Sequence, residues 1–327
     1  MTDNNMKRRV FMLLALIVIL SLTGCKEGSS SNSGAQGGDA PKPVMGMMQH
    51  TQADSFQQAM LKGAQESAQA LGYQLLDAAA NDDPVKELEI IRTFSKRGVT
   101  LLILGSTTQA AGVAGVELAH SLGMKVVTMD SIQPDSLAEG QVGGDDVAAG
   151  YGAAKALTKA IGGEGKVAIS KFPSPIPPSD DRVKGFYQAF AEHPGIEVVA
   201  DAGTGFDTLE AMNWAAAIIR ANPDIKGFIS IEDTSGLGIV RAVENAKLEG
   251  QIKTVSVVES QAIYEEVKKG TVVAGVFAMH SYNYGALSVF LLDRIHNNRP
   301  VPYIVKTTGV LVTQENLEES MAYLSFD

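Results

Sequence analysis

What most limits the fold of this 327-residue chain is an alternation, sustained from residue 44 onward, of short apolar runs with longer amphipathic stretches. "VMGMMQ" (44–49), "YQLLDA" (73–78), "VTLLILG" (99–105) and "MKVVTMD" (124–130) read as buried strands. Between them, "DSFQQAMLKGAQESAQALG", "DPVKELEIIRTFSKRG" and "TTQAAGVAGVELAHSLG" read as helices that stop near a Gly. Asp82 or Asp83, and Thr107 or Thr108, are the expected N-caps. Connections of this length carry a strand over to a parallel neighbour, and such crossovers are right-handed.

The pattern then restarts. "KVAIS" (166–170), "IEVVAD" (196–201), "KGFISI" (226–231), "KTVSVV" (253–258) and "TVVAGVFA" (271–278) are the next strands. Helices are expected over 181–192, 208–221, 235–247, 260–269 and 281–297. The fold class is therefore α/β, with two doubly wound units that each carry an open parallel sheet. Ligands of such sheets bind beyond the carboxyl ends of the strands. That points to His50–Phe56, Ser106–Thr108, Asp130, Lys171–Arg182, Glu232–Thr234, Glu259 and Met279–Tyr282.

The amino-terminal region has a different character. Lys7, Arg8 and Arg9 precede an apolar run from Val10 to Leu22, broken by Ser21. A basic start, a short hydrophobic core and small residues describe a signal peptide over 1–24. The run falls short of the ~20 apolar residues of a membrane span. Cys25 is the single cysteine of the chain, so it has no intrachain disulfide partner. Leu22-Thr23-Gly24-Cys25 resembles the bacterial lipobox, in which the cysteine becomes the new amino terminus and carries lipid. Residues 25–43 are then the lipidated Cys25 and a Ser/Gly-rich flexible tether. Met1 and Met6 both remain possible starts.

Composition narrows the partners. The chain carries a formal net charge of −10, and losing Lys7, Arg8, Arg9 and Asp3 with a signal peptide makes the remainder more acidic still. An acidic surface repels phosphate backbones, so nucleic acid is not expected as a partner.

Longer phrases carry a family likeness. "SFQQAMLKGAQESAQALGYQLL", "VKELEIIRTFSKRGVTLLIL", "VVTMDS", "DDRVKGFYQAF", "IEDTSGLGIVRAVENA" and "GVLVTQENLE" occur in that order. Together they resemble the periplasmic sugar-binding proteins of ribose and galactose type, the type I solute-binding fold, over residues 44 to about 320. The resemblance implies two lobes joined by a three-strand hinge, with ligand between them and closure by hinge bending. It sets lobe 1 at 44–144 plus 280–302 and lobe 2 at 145–279 plus 303–327. The crossings then fall near Gly144–Val147, Met279–Ser281 and Pro302–Lys306. The lactose-repressor family shares the fold but begins with a basic helix-turn-helix, unlike this chain.

The same resemblance implies site residues. Asp130 matches a ligand-binding Asp, with a cap on the next turn as its alternative; Ser131 replaces an Arg that often follows. Arg182 matches a ligand-contacting Arg, with a salt bridge to Asp180 or Asp181 as the alternative. Phe56 falls where an aromatic stacks on a sugar ring, or else packs in the core. Glu232-Asp233 replaces an Asn-Asp pair; Asp233 is expected to cap the next helix and Glu232 to face ligand. At Ser256-Val257-Val258-Glu259 a Gly-aromatic-Asp triplet is usual, which leaves Glu259 to supply a carboxylate. Met279 stands in place of a Gln, and His280 beside it is a ligand donor or a structural residue. Asp145 adds to this acidic set and Lys171 to its cations. The balance suits an uncharged polyol and would also favour a cationic or amine-bearing ligand. The Pro-rich "KFPSPIPPSDD" is expected to be a rigid wall of the site.

Other chemistry finds no support. "GGEGKV" (162–167) precedes a strand and lacks the hydroxyl residue of a phosphate loop. His50, His120, His193, His280 and His296 lack i, i+4 pairing, so no metal or other cofactor is expected. Glu232 and Asp233 are adjacent, which does not flank a scissile bond, and no catalytic residue is assigned. The expectation is a monomeric, non-enzymatic lipoprotein facing the periplasm or cell exterior. It would deliver a sugar or sugar derivative to an ABC permease, or present its closed state to a membrane sensor such as a chemoreceptor or histidine kinase.

Overall fold

Asp83 and Thr108 show how the chain enters its helices. Asp83 accepts from the N–H groups of Val85 at 2.8 Å and Lys86 at 3.3 Å, and Pro84 takes the first helical position, where no donor is required. Thr108 Oγ1 accepts from Ala111 N at 3.1 Å. The computed structural model describes residues 42–323 apart from 54, 134–136, 174–175 and 205–206. Cys25, the apolar run before it and the tether up to residue 41 lie outside the described residues.

The chain runs β1 (Val44–Gln49), α1 (Ser55–Ala70), β2 (Leu75–Ala79), α2 (Pro84–Lys96), β3 (Val99–Leu104), α3 (Gln109–Ser121), β4 (Lys125–Asp130) and β5 (Gly140–Gly144). It continues as α4 (Asp146–Ala160), β6 (Gly165–Lys171), α5 (Pro177–Ala191), β7 (Ile196–Gly203), α6 (Thr208–Ala221), β8 (Ile225–Ser230) and α7 (Asp233–Asn245). Then come β9 (Lys253–Val257), α8 (Gln261–Lys269), β10 (Val273–Ala278), α9 (Ser281–His296), β11 (Ile304–Thr307), β12 (Val310–Val312) and α10 (Leu317–Tyr323). Two six-stranded sheets result, ordered β11-β5-β4-β3-β1-β2 and β12-β10-β9-β8-β6-β7. Every pairing is parallel except β10 with β12. These are the two α/β lobes.

The last crossing differs from the expectation at Pro302–Lys306. β11 pairs with β5 from Ile304↔Gln141 to Thr307↔Gly144, so the chain stays in the first sheet through Thr307. Residues 303–307 therefore belong with lobe 1, and the chain crosses at Thr308–Gly309 before Val310 pairs with Ala278. A side chain on Gly309 would strike the carbonyl of Ala278, so the crossing needs a glycine. β5 itself, "GQVGG", has little strand propensity. It is a strand because β4 and β11 pair with it on either side.

The expected helix over 181–192 starts earlier. Pro177 and Pro178 form the first turn of α5, so the Pro-rich segment is partly helix rather than wall.

In each lobe one helix pair meets at a glycine from either side. A Cβ on Gly63 of α1 would strike the Tyr282 carbonyl of α9, and one on Gly285 would strike that of Met60. In the second lobe Gly150 of α4 and Gly185 of α5 abut the carbonyls of Arg182 and Val147 in the same way. These contacts fix the helix ends that carry Phe56, Ser281, Asp146 and Arg182.

Candidate ligand site

Among the non-glycine residues in the left-handed region are Asp130 at the end of β4 (φ 81°), Val258 after β9 (φ 71°) and His280 after β10 (φ 58°). For a β-branched residue such as Val258 this conformation is a true outlier, and backbone strain of this kind gathers at binding sites. All three lie at the carboxyl ends of strands, where the topology directs a ligand.

Asp130 terminates the first lobe's contribution, with its side chain 25% exposed. Gln57 Nε2 donates to its Oδ2 at 3.2 Å, and His50 Nε2 lies 4.0 Å away. Burial pushes its carboxyl above the usual range, and the nearby Asp146 charge adds to this, while His50, Arg182 and Gln57 pull the other way. Sequence reasoning singled out Asp130 but not Gln57. Gln57 directly follows the expected stacking aromatic, and its 4% exposure for a polar side chain is a structural signal.

Phe56 is half-buried and meets Tyr284 edge-to-face, with ring centroids 5.7 Å apart and planes at 83°. Tyr284 is buried and its phenol is held neutral by burial and by the charges of Asp146 and Asp130. Phe56 borders a core cluster that includes Tyr284. Tyr284 is the aromatic that sequence reasoning missed.

Arg182 reaches this group from the second lobe. Its Nε donates to Asp146 Oδ1 at 2.8 Å and its Nη1 to the Ile231 carbonyl at 2.8 Å, with side-chain exposures of 11% and 12% for the ion pair. Burial opposes its charge, but Asp146, Tyr284 and Asp130 outweigh that and hold its pKa above the ordinary arginine value. The ion-pair partner is Asp146, at the start of α4, rather than Asp180 or Asp181. A guanidinium carries five donors, so two engaged donors leave others for ligand.

Glu232, rather than Asp233, takes the capping role. Glu232 is the N-cap of α7: its carboxylate accepts from Thr234 N at 2.6 Å, Ser235 N at 2.7 Å and Ser235 Oγ. Helix α7 begins at Asp233, one position too late for Asp233 to cap it, and Asp233 is half-buried there. Burial pushes Glu232 up to about 7 despite these donors, with Asp233 beside it adding to the push.

Glu259 likewise engages the donors of a helix end. It is buried, and it accepts from Met279 N at 2.6 Å, Ser281 N at 2.9 Å and Ser281 Oγ at 3.0 Å. Met279 is fully buried in the core, and a Cβ on Gly144 would strike both Met279 Cε and Tyr284 Oη. His280 occupies the N-cap position of α9 without a side-chain cap and stays half-buried. Lys171 pairs with Asp201 at 2.7 Å, and Asp145 caps α4 through Ala148 N at 3.3 Å.

The structure thus gathers Asp130 and Arg182 beside Phe56 and Tyr284, and assigns Glu232 and Glu259 to helix ends. A carboxylate acceptor, a guanidinium donor and aromatic surface can hold a small hydroxylated molecule. Among the described residues no group of three His, Cys, Asp or Glu side chains could hold a metal, and no helix is long and apolar enough to cross a membrane.

Two α/β lobes crossed three times by the chain, with polar groups converging at their strand ends, define a two-lobed ligand-binding protein. The periplasmic binding protein domain family matches residues 45–300, and the chain belongs to that family. It is 27% identical to the ribose import binding protein of Haemophilus influenzae over 71% of this chain and 78% of that one. It is 25% identical to the D-allose-binding periplasmic protein of Escherichia coli, over 81% and 90%. The solved structure of an ABC-transporter solute-binding protein from Actinobacillus succinogenes with bound D-allose superposes with a TM-score of 0.79 at 25% identity, covering 85% of this chain and all of that one.

Proposed function

We propose that this protein captures a sugar or sugar derivative between its lobes, outside the cytoplasmic membrane, and delivers it to an ABC importer. The observation that carries this reading is the placement of Asp130, at the end of β4 in the first lobe, within electrostatic reach of Arg182, on helix α5 of the second. A ligand between them would bridge the lobes, accept from Arg182 and donate hydroxyls to Asp130. The ribose- and allose-binding relatives support a sugar as the ligand class.

Binding of this kind needs no turnover, and the protein acts as a non-enzymatic receptor. Three crossings at Asp145, Met279–His280 and Thr308–Gly309 serve as the hinge, so occupancy becomes a change of shape that a permease reads. Lobe 1 then runs 44–144 plus 280–307 and lobe 2 comprises 145–279 with the chain from 308. Cys25 carries the lipid that anchors the monomer to a membrane, with residues 26–43 as its tether. Calorimetric titration with D-ribose, D-allose and D-apiose tests the reading: saturable heat with one of them supports it, and heat from none removes the sugar assignment. Mass analysis of the amino terminus tests the anchor, which requires a diacylated Cys25.

A further inference from the structure

A line of side chains in the first lobe ends on Asp130, and sugar capture alone does not explain it. His50 Nδ1 lies 2.8 Å from Asp82 Oδ1. A carboxylate only accepts, so this contact places the imidazole proton on Nδ1 and leaves the Nε2 lone pair as an acceptor. Gln57 Nε2 lies 3.0 Å from that Nε2 and donates its other proton to Asp130 Oδ2 at 3.2 Å. The amide is held in this sense from behind. Gln49 Nε2 donates to Gln57 Oε1 at 2.9 Å and to Gln57 O at 2.8 Å, and Gln52 donates to Gln49 Oε1 at 3.1 Å. Gln49 and Gln57 are buried, so an exchanged amide would set donor against donor with no water to relieve it.

We propose that Asp82, His50 and Gln57 form a relay that positions the Asp130 carboxylate for ligand, and that protonation of His50 disengages it. The proposal rests on the reading of Asp130 as a ligand acceptor. A protonated His50 turns Nε2 into a donor aimed at the Gln57 amide, itself a donor. The contact becomes repulsive, and Asp130 Oδ2, 4.0 Å from Nε2, is the acceptor next in line. Asp130 then turns toward the imidazolium and away from the ligand. Among the described residues, the ionisable groups that face His50 are Asp82 after β2, Asp130 at the end of β4 and Glu87 on α2, whose carboxyl senses the His50 charge. All three are carboxylates and attract the imidazolium once it forms. His50, Gln57 and Asp82 are positioning residues: they act on ligand through Asp130.

Two measurements on the full chain test this. Long-range proton–nitrogen correlation of the ligand-free protein should show neutral His50 as the Nδ1–H tautomer, with the Gln57 side-chain amide shifting as His50 titrates. Calorimetric titration with D-allose should show affinity falling roughly tenfold from pH 8 to pH 5, the loss of one hydrogen bond to a charged group. His50→Gln, which cannot titrate, should remove that dependence. An Nε2–H tautomer in the wild type, or the same pH profile in His50→Gln, overturns the relay. If D-allose fails to bind at any pH, that counts against D-allose as ligand, while the tautomer and the Gln57 response still decide the relay.

Discussion

Glu259 accepts the backbone N–H of Ser281 at 2.9 Å and the Ser281 hydroxyl at 3.0 Å. The acceptor follows β9 in the second sheet, whereas Ser281 begins α9, which packs on α1 of the first. The N-cap residue His280 is left-handed and gives no side-chain cap, so a carboxylate from the other lobe satisfies the helix terminus instead. With Met279 N at 2.6 Å as a further donor, Glu259 fastens the second crossing to the strand beside it. Glu259→Ala strands buried donors and should cost about 3 kcal/mol in urea unfolding, while Glu259→Gln, which keeps an acceptor, should cost less.

Glu232 makes stability depend on pH in a direction opposite to that of most paired carboxylates. Its folded pKa of about 7 lies above the ordinary 4.5, so the folded protein binds this proton more tightly than the unfolded chain. The associated stability is fully present below pH 4.5 and is lost as pH rises to about 7. Unfolding of the wild type and Glu232→Gln from pH 4 to 8 should show their difference drifting toward the variant, on the order of 3 kcal/mol.

Asp146 is the partner that makes Arg182 tolerable inside the protein. Asp146→Ala leaves a buried guanidinium with the Ile231 carbonyl as its remaining hydrogen-bond partner among the described residues, and should destabilise by about 3–5 kcal/mol. Arg182→Lys should not restore the arrangement, because an ammonium cannot serve Asp146 and Ile231 from one planar fork. Thermal unfolding of both variants checks this.

Gly63 sets how closely α9 lies against α1. Gly63→Ala drives a methyl into the Tyr282 carbonyl, so the helices must part. The expected cost is about 2 kcal/mol in urea unfolding, with loss of the Phe56–Tyr284 edge contact in a crystal structure of the variant.

The regular strands and helices were legible because periodicity and punctuation agree in them: Asp83 and Thr108 cap as their residue types suggest. β5 was not, because three glycines in "GQVGG" carry no strand preference and the strand exists through its neighbours. The same cause displaced the third crossing from Pro302–Lys306, because pairing between β11 and β5 holds the chain in the first sheet through Thr307. At the site, the resemblance singled out Asp130 and Arg182 as candidates, but residue type could not say which carboxylates a helix end would claim. Glu232 and Glu259 have reach enough to cap backbone donors, and no local signal separates that use from ligand contact. Gln57 and Tyr284 matter through contacts distant in sequence, with Asp130 and Phe56, which a linear reading does not supply.

The central claim is that a sugar binds between Asp130 and Arg182. Its most direct test is chemical unfolding of the wild type and Asp130→Asn with and without each of a panel of sugars. At a hundred times its dissociation constant, the true ligand should stabilise the wild type by about 2.7 kcal/mol and the variant by much less. Stabilisation by an amine or nucleoside but by no sugar, or equal stabilisation of both proteins, would contradict it.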